Sequence, residues 1–234
     1  MVTFVLFIVV VALAFDFING FHDSANSIAT IVGTRVLSPL AAVVWAAVFN
    51  FSALFFVGTA VAKSVAAGFI DLAVVDANVI LGGLLGAIIW NLITWWFGIP
   101  SSSSHALIGG YAGAAVAKAG FAALLWGKKW IETLAAIVLS PTLGALMGFL
   151  LMVIVFSTFR HIAKNKSEKF FRVAQLTSSA LLSLAHGGND AQKTMGIIVG
   201  LLVATQATFA NQTGFLAHFH VTTLDHIPVW VELS

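Results

Sequence analysis

Cysteine is absent from this chain, tyrosine occurs once, proline four times, and charged residues make up only 9% of the sequence. Without cysteine there are no disulfides and no thiolate metal sites. A soluble globular domain carries about 25% charged residues, so the low charge excludes that class. Neither sign dominates, since 11 Lys and Arg stand against 9 Asp and Glu, too even a balance for a surface that binds nucleic acid. The opening residues, MVTFVLFIVVVALAF, lack a basic n-region, and no small-residue cleavage site precedes more polar sequence. They read as a resident membrane helix, not as a removed signal peptide.

What fills the space left by charge is apolar. The chain is 60% hydrophobic with a mean hydropathy of +1.02, which makes it an all-α, multi-pass membrane protein with the lipid bilayer as its solvent. A spanning helix needs about 20 mostly apolar residues. Apolar stretches fall at 2–19, 37–62, 79–97, 105–125, 131–157, 173–186 and 194–210, and several, 173–186 among them, are too short to cross alone. Polar residues with Gly or Pro interrupt the sequence around His22 and Ser101. This predicts broken or re-entrant helices there, because irregular backbone survives at depth only where it lines a cavity.

Charge placement orients the chain. The segment RHIAKNKSEKFFR, Arg160 to Arg172, carries five Lys or Arg against the single Glu168, and the positive-inside rule puts it in the cytoplasm. The expected organisation is a first membrane repeat at 1–157, a basic cytoplasmic loop at 158–172 and the start of a second repeat at 173–234. Lys63 to Asn78, with Asp71 and Asp76, reads as an extramembrane link. Trp90, Trp95, Trp96, Trp126 and Trp130 sit near predicted span ends, as interfacial aromatics do.

The strongest signal is an internal repeat. Phe17–Gly33 and Leu184–Gly200 align without gaps: Gly20 falls on Gly187, His22 on Asn189, Asp23 on Asp190, and Ile31, Val32 and Gly33 on Ile198, Val199 and Gly200. The shared element is a carboxylate inside an apolar stretch, expensive in a bilayer unless it faces a polar cavity and therefore a functional residue by default. In the first run, His22, Asp23, Ser24, Asn26, Ser27 and Thr30 supply carboxylate, amide and hydroxyl groups. Such oxygens suit a hard cation, and a buried Asp can instead carry a proton. The second run holds Asn189, Asp190, Gln192, Lys193 and Thr194, where Lys193 either pairs with Asp190 or helps hold an anion.

A third run, GIPSSSSHALIGG from Gly98 to Gly110, places Pro100 and four serines before an apolar stretch. Hydroxyls and free N–H groups at a helix N-terminus suit an anion such as phosphate or sulfate; they equally suit N-caps at a membrane surface. Ser104 and His105 do not make a hydrolase. Adjacent helical residues point apart, and no G-x-S-x-G elbow is present. His218, His220, Asp225 and His226 read as a solvated loop in preference to a metal site. Asp16 is placed to face the cavity of the first run or to cap a break, while Asn50 and Asn91 read as packing hydrogen-bonders.

Together these runs resemble the inorganic phosphate transporter family, whose members carry two G-A-N-D-V-A-N-A motifs in inverted repeats. FHDSANSIAT is similar to the first copy, with His22 at its first Asn, Asp23 at its Asp and Asn26 at its second Asn. HGGNDAQKTMG is similar to the second, with Asn189 and Asp190 matching and Lys193 in place of the second Asn. GIPSSSSHALIGG is similar to the family's G-I-P-x-S-x-T-H hairpin. The resemblance implies low-affinity symport of inorganic phosphate, free or as a metal–phosphate complex, with a cation, H⁺ as in the bacterial branch or else Na⁺. It implies a bacterial inner (plasma) membrane, no cofactor, no resident metal and no catalysis, and it is compatible with a homo-oligomer. Phosphate would be held by Ser102, Ser103, Ser104, Asn26, Asn189, Gln192, Lys193 and Thr194, and the cation by Asp23, Asp190 and His22. A sulfate permease of the same architecture, or a non-transporting membrane fragment whose polar runs only join helices, are the alternatives. Family repeats pair each motif with a later serine hairpin, and here the second hairpin is missing. The expectation is a C-terminally truncated sequence with its second repeat incomplete, Pro228 opening a further helix.

Overall fold

The computed structural model describes residues 1–56, 62, 68–224 and 227–232, the side chains of 164–166 apart. Its long elements are α1 (Val2–Gly33), α2 (Pro39–Ala53), α3 (Ala77–Trp96), α4 (Ser103–Ala119), α5 (Lys128–Phe159) and α6 (Lys164–Ala204). Shorter helical turns follow at Gln206–Phe209, Gly214–Phe219 and Val229–Glu232. Among the described residues there is no strand, only an isolated bridge between Ile70 and Leu124. Three helices, α1, α3 and α5, are long and apolar enough to cross a membrane, and α2 is a shorter apolar helix. Phe, Leu, Ile and Trp side chains are exposed over much of the surface; lipid is the solvent that tolerates this.

The break expected around His22 does not occur, and the second polar run is likewise continuous. α1 runs unbroken for 32 residues through the first polar run, and α6 runs for 41 through the second, joining the stretches 173–186 and 194–210. The reason lies in the spacing. In α1 the buried positions Phe15, Asn19, Asp23, Ser27 and Ile31 recur every four residues, so the polar groups occupy one helical stripe. Facing helices satisfy them there, and the backbone stays regular. The basic segment is likewise only partly a loop, because α6 starts at Lys164.

The break expected around Ser101 is present. α3 ends at Trp96, Gly98 takes φ +64°, and α4 begins at Ser103 behind Pro100. Only glycine adopts that backbone without strain, and proline cannot continue the helix before it. The Ser102 hydroxyl accepts the His105 N–H at 3.3 Å as the N-cap of α4. α3 and α4 then pack as an antiparallel pair with almost no separation. A Cβ on Gly110 would stand 2.5 Å from the Gly83 carbonyl oxygen, and one on Gly83 would stand 2.9 Å from Tyr111 Cα. Overpacking by a few methylenes alone costs about 1–3 kcal/mol, so Gly110→Leu is expected to force the pair apart. The check is the yield of monodisperse protein in size-exclusion chromatography; a wild-type yield and melting temperature would refute the close approach.

At the outer end of this pair Lys118 bridges to Asp76 at 2.8 Å and donates to the Val74 carbonyl. Burial pushes the Asp76 carboxyl up, but Lys118 and the Val79 N–H more than offset that and hold it below its ordinary value. α6 packs against α2 and α1, and α1 also packs against α3. From Gln192 to Leu202 every residue of α6 is buried, so this stretch is the axis of the bundle. α5 has no buried residue, and only Ala136 and Ser140 reach the cavity described next.

Candidate functional site

The two aligned polar runs, far apart in sequence, meet in the centre of the bundle. α1 presents Asp23 on its polar stripe, and α6 presents His186 and Asp190 four residues apart, hence on one face. His186 Nε2 lies 3.1 Å from Asp190 Oδ2 and 4.0 Å from Asp23 Oδ2. These three side chains are the group among the described residues whose ligand atoms lie close enough together, within 4.8 Å, to share an ion.

Each carboxylate is held differently. Asp190 is saturated: Lys193 Nζ bridges to Oδ1 at 2.6 Å, and Asn19 Nδ2 donates to Oδ2 at 3.0 Å. Asp23 has weaker company. The buried Ser103 hydroxyl donates to its Oδ2 at 3.1 Å, Asn26 Nδ2 reaches Oδ1 at 3.5 Å, and His22 Nδ1 stands 3.6 Å from Oδ1. On the far side of that ring, His22 Nε2 lies 3.4 Å from the Thr94 hydroxyl. The Thr94 hydroxyl also has the Trp90 and Asn91 carbonyls of its own helix as acceptors, at 2.9 and 3.1 Å. Asp190 has an ammonium partner in Lys193, whereas the charged partners within reach of Asp23 among the described residues are the imidazoles of His22 and His186.

Two cavities flank this layer. The larger, about 760 Å³, is lined by Asp23, Asn26, Ser101, Ser102, Ser103, Ser104, His186, Asn189, Asp190 and Lys193, with Ser140 from α5. Its serines divide the work. Ser102 caps α4, Ser101 accepts from Trp90 Nε1 at 3.0 Å, and Ser103 reaches Asp23. Serine hydroxyls, the Asn26 and Asn189 amides and the Lys193 ammonium supply donors on this wall, the kind of group that holds an oxyanion. The smaller cavity, about 320 Å³, lies between α1, α2 and α6 and is lined by Asp16, Asn19, Ser27, Asn50, His186, Gly187 and Asp190 among others.

Of the residues expected at the site, Asp23, Asn26, Ser102, Ser103, Ser104, Asn189, Asp190 and Lys193 line the larger cavity, and His22 stands behind Asp23. Gln192 and Thr194 do not. Gln192 is buried, donating to the Gly188 carbonyl and accepting from the Ala62 N–H. Thr194 turns its hydroxyl to Asp16 Oδ1 at 2.8 Å. The helical period takes both away from the face of Asn189, Asp190 and Lys193. Asp16 does face a cavity with Asn19 and Gly20. Asn50 and Asn91 are not the packing hydrogen-bonders expected of them: Asn50 Oδ1 and both polar atoms of Asn91 are buried without a partner among the described residues.

His186 and Asn19 are the residues that sequence reading leaves out. The signal for His186 was its i,i+4 spacing to Asp190, and for Asn19 the same spacing to Asp23. His218 sits in an exposed turn, its Nδ1 3.2 Å from the Phe215 carbonyl; Asp225 and His226 lie outside the described residues.

A family profile described as the phosphate transporter family matches residues 19–233. A probable low-affinity inorganic phosphate transporter of Rhizobium meliloti is 54% identical over 228 residues, covering 97% of this chain and 64% of that protein. A Bacillus subtilis protein of the same description is 47% identical over 232 residues, covering 98% and 65%. The chain thus spans a little under two thirds of these relatives. A solved structure described as the sodium-dependent phosphate transporter superposes with a TM-score of 0.76 at 19% identity, over 99% of this chain and 72% of that one, which shows a shared fold.

Proposed function

Since the chain belongs to the phosphate transporter family, we infer that it serves low-affinity transport of inorganic phosphate across the inner membrane of a bacterium, by symport with protons. The observation that carries this reading is the meeting of the two aligned runs: Asp23 and Asp190, bridged by His186, form one wall of a cavity whose other wall is the serine hairpin. Residues 1–157 would form the first repeat and 173–234 belong to the second, with the basic segment between them on the cytoplasmic face.

The chemistry supports an anion–cation pair. Phosphate entering the larger cavity meets hydroxyls from Ser101, Ser103 and Ser104, the Asn26 and Asn189 amides and the Lys193 ammonium, all of which can donate. It also meets the negative charge of Asp23. Protonation of Asp23 or of a flanking imidazole removes that repulsion, so anion and proton enter together. The proton is favoured as the coupling ion because two imidazoles stand within 4.0 Å of Asp23, and histidine is the side chain that exchanges protons near neutral pH. Rocking of the two repeats about this midplane layer would expose it to either side.

The test uses the complete protein in a bacterium that lacks phosphate uptake, and the purified protein for binding. Radiolabelled phosphate should bind saturably, arsenate should compete and sulfate should not. Competition by sulfate instead would replace the substrate, and no binding of either would leave the fold without its proposed role. An imposed proton gradient, alkaline inside and without sodium, should drive uptake.

A further inference from the structure

The serine hairpin contains one serine to which the family element gives no role. In G-I-P-x-S-x-T-H, Ser101 stands at the first x, yet it lines the larger cavity with Ser102, Ser103 and Ser104. We propose that Trp90 positions this serine for the anion: the Trp90 indole N–H holds the Ser101 oxygen, so that the Ser101 hydroxyl proton is left to donate into the cavity. This role rests on the cavity being the phosphate site.

The turn of the hairpin leaves Ser101 to depend on a side chain. α3 ends at Trp96, and the chain reverses through Gly98 and Pro100. The Ile99 N–H donates to the Thr94 carbonyl at 2.8 Å, which pins the near side of the turn to α3. Pro100 has no N–H to contribute, and the cap of α4 begins only at Ser102. Ser101 falls between these two anchors. Its hydrogen bond among the described residues is the one from Trp90 Nε1, at 3.0 Å.

The chemistry of the pair fixes the direction of that bond. An indole nitrogen only donates, so the Ser101 oxygen is the acceptor. Its own proton then points elsewhere and has no protein acceptor among the described residues. Accepting one hydrogen bond also strengthens the one a hydroxyl donates, by about 10–30% in condensed phase. The neighbouring serines are placed differently, because Ser103 donates to Asp23 and the Ser102 oxygen caps α4. Ser101 thus combines a held oxygen with an uncommitted proton, on a wall shared with Asn189 and Lys193. A donor held in place before the anion arrives loses less freedom on binding.

Trp90 was expected among the interfacial aromatics. Its ring is 52% exposed, as that role requires, but its polar end serves the hairpin in place of a lipid headgroup. A phenylalanine there would keep a ring at the surface and lose the hold on Ser101.

Binding of radiolabelled phosphate to the complete protein, purified in detergent, tests the role. Trp90→Phe should weaken binding about three- to tenfold, the range of one neutral hydrogen bond. Ser101→Ala removes the donor to the anion itself and should weaken it about tenfold. Combined, the two should bind no more than about twofold more weakly than Ser101→Ala alone, because Trp90 then has no hydroxyl to hold. Trp90→Phe with Ser104→Ala should instead multiply the separate losses, a contrast that a general loosening of the hairpin would not produce. Size-exclusion chromatography shows whether each variant is folded. A Trp90→Phe protein that binds like wild type, or whose loss multiplies with that of Ser101→Ala, would overturn the role. If Trp90→Phe does not fold, Ser101→Ala decides: a loss there supports the role, and unchanged affinity overturns it, since Trp90 then has nothing to act through. Folded wild-type protein that binds no phosphate would bring down the reading of the cavity and this role with it, an outcome distinct from failure in the variants alone.

Discussion

Asp23→Asn should abolish proton-coupled phosphate uptake and leave the protein folded in the membrane. Asn has nearly the same shape, and its side-chain oxygen can still accept from Ser103, which reaches Asp23 at 3.1 Å. α1 therefore keeps its stripe and its packing. What is lost is the group that, in the proposed symport, exchanges a negative charge for a proton between His22 and His186. Removing one member of a buried, hydrogen-bonded charged set costs about 2–5 kcal/mol, which corresponds to roughly 30-fold to several thousand-fold in affinity. Uptake of radiolabelled phosphate driven by a pH gradient should fall into the background, at an unchanged amount of membrane-inserted protein. Uptake at the wild-type rate would remove Asp23 from the mechanism and leave it a packing residue.

The second large effect is on stability. Lys193 and Asp190 form a pair at 2.6 Å whose side chains are 9% and 15% exposed. Such a pair adds little stability by itself, but deleting one partner strands the other and typically costs about 3–5 kcal/mol. Lys193→Met keeps the volume and removes the charge, leaving Asp190 with His186 and Asn19. By the scaling of soluble domains of this size, about 2–4 °C per kcal/mol, the melting temperature should drop by roughly 6–20 °C. Asp190→Asn alone should destabilise for the converse reason, and the double variant should recover much of the loss, because neither charge is then stranded. Additive losses in that cycle would mean that the two residues act through different partners.

Several features were legible before any fold was known. The low charge and long apolar stretches placed the chain in a membrane, and the gapless alignment of Asp23 with Asp190 marked both as site residues. The serine hairpin was equally plain, because Gly98 and Pro100 leave a helix no way through. The helix break at His22 was misjudged from the same kind of signal. Polar residues and glycine in an apolar stretch allow a broken helix, but a regular helix also accommodates them when every fourth side chain meets a partner. Asn19, Asp23 and Ser27 are spaced in that way. Gly187 and Gly188 break nothing, and Gly187 serves as the surface on which α2 lies.

The assignment of side chains to cavities shows the same division. Asn189, Asp190, Gln192, Lys193 and Thr194 form one polar run in sequence, yet three of them line the larger cavity while Gln192 supports the backbone at Ala62 and Thr194 serves Asp16. Asn50 reads as an isolated amide in an apolar helix until α6 is seen against it. By itself, the sequence determined the solvent, the repeat, the paired carboxylates and the family, because these depend on composition and on local spacing along one helix. Only the tertiary structure decided that His186 bridges the two carboxylates, that two cavities share that bridge, and that Asn19 and Asn50 bury side-chain oxygens without donors among the described residues. A helical period orders side chains around its own axis, and which of them meet a carboxylate, a cavity or lipid depends on helices brought alongside from distant parts of the chain.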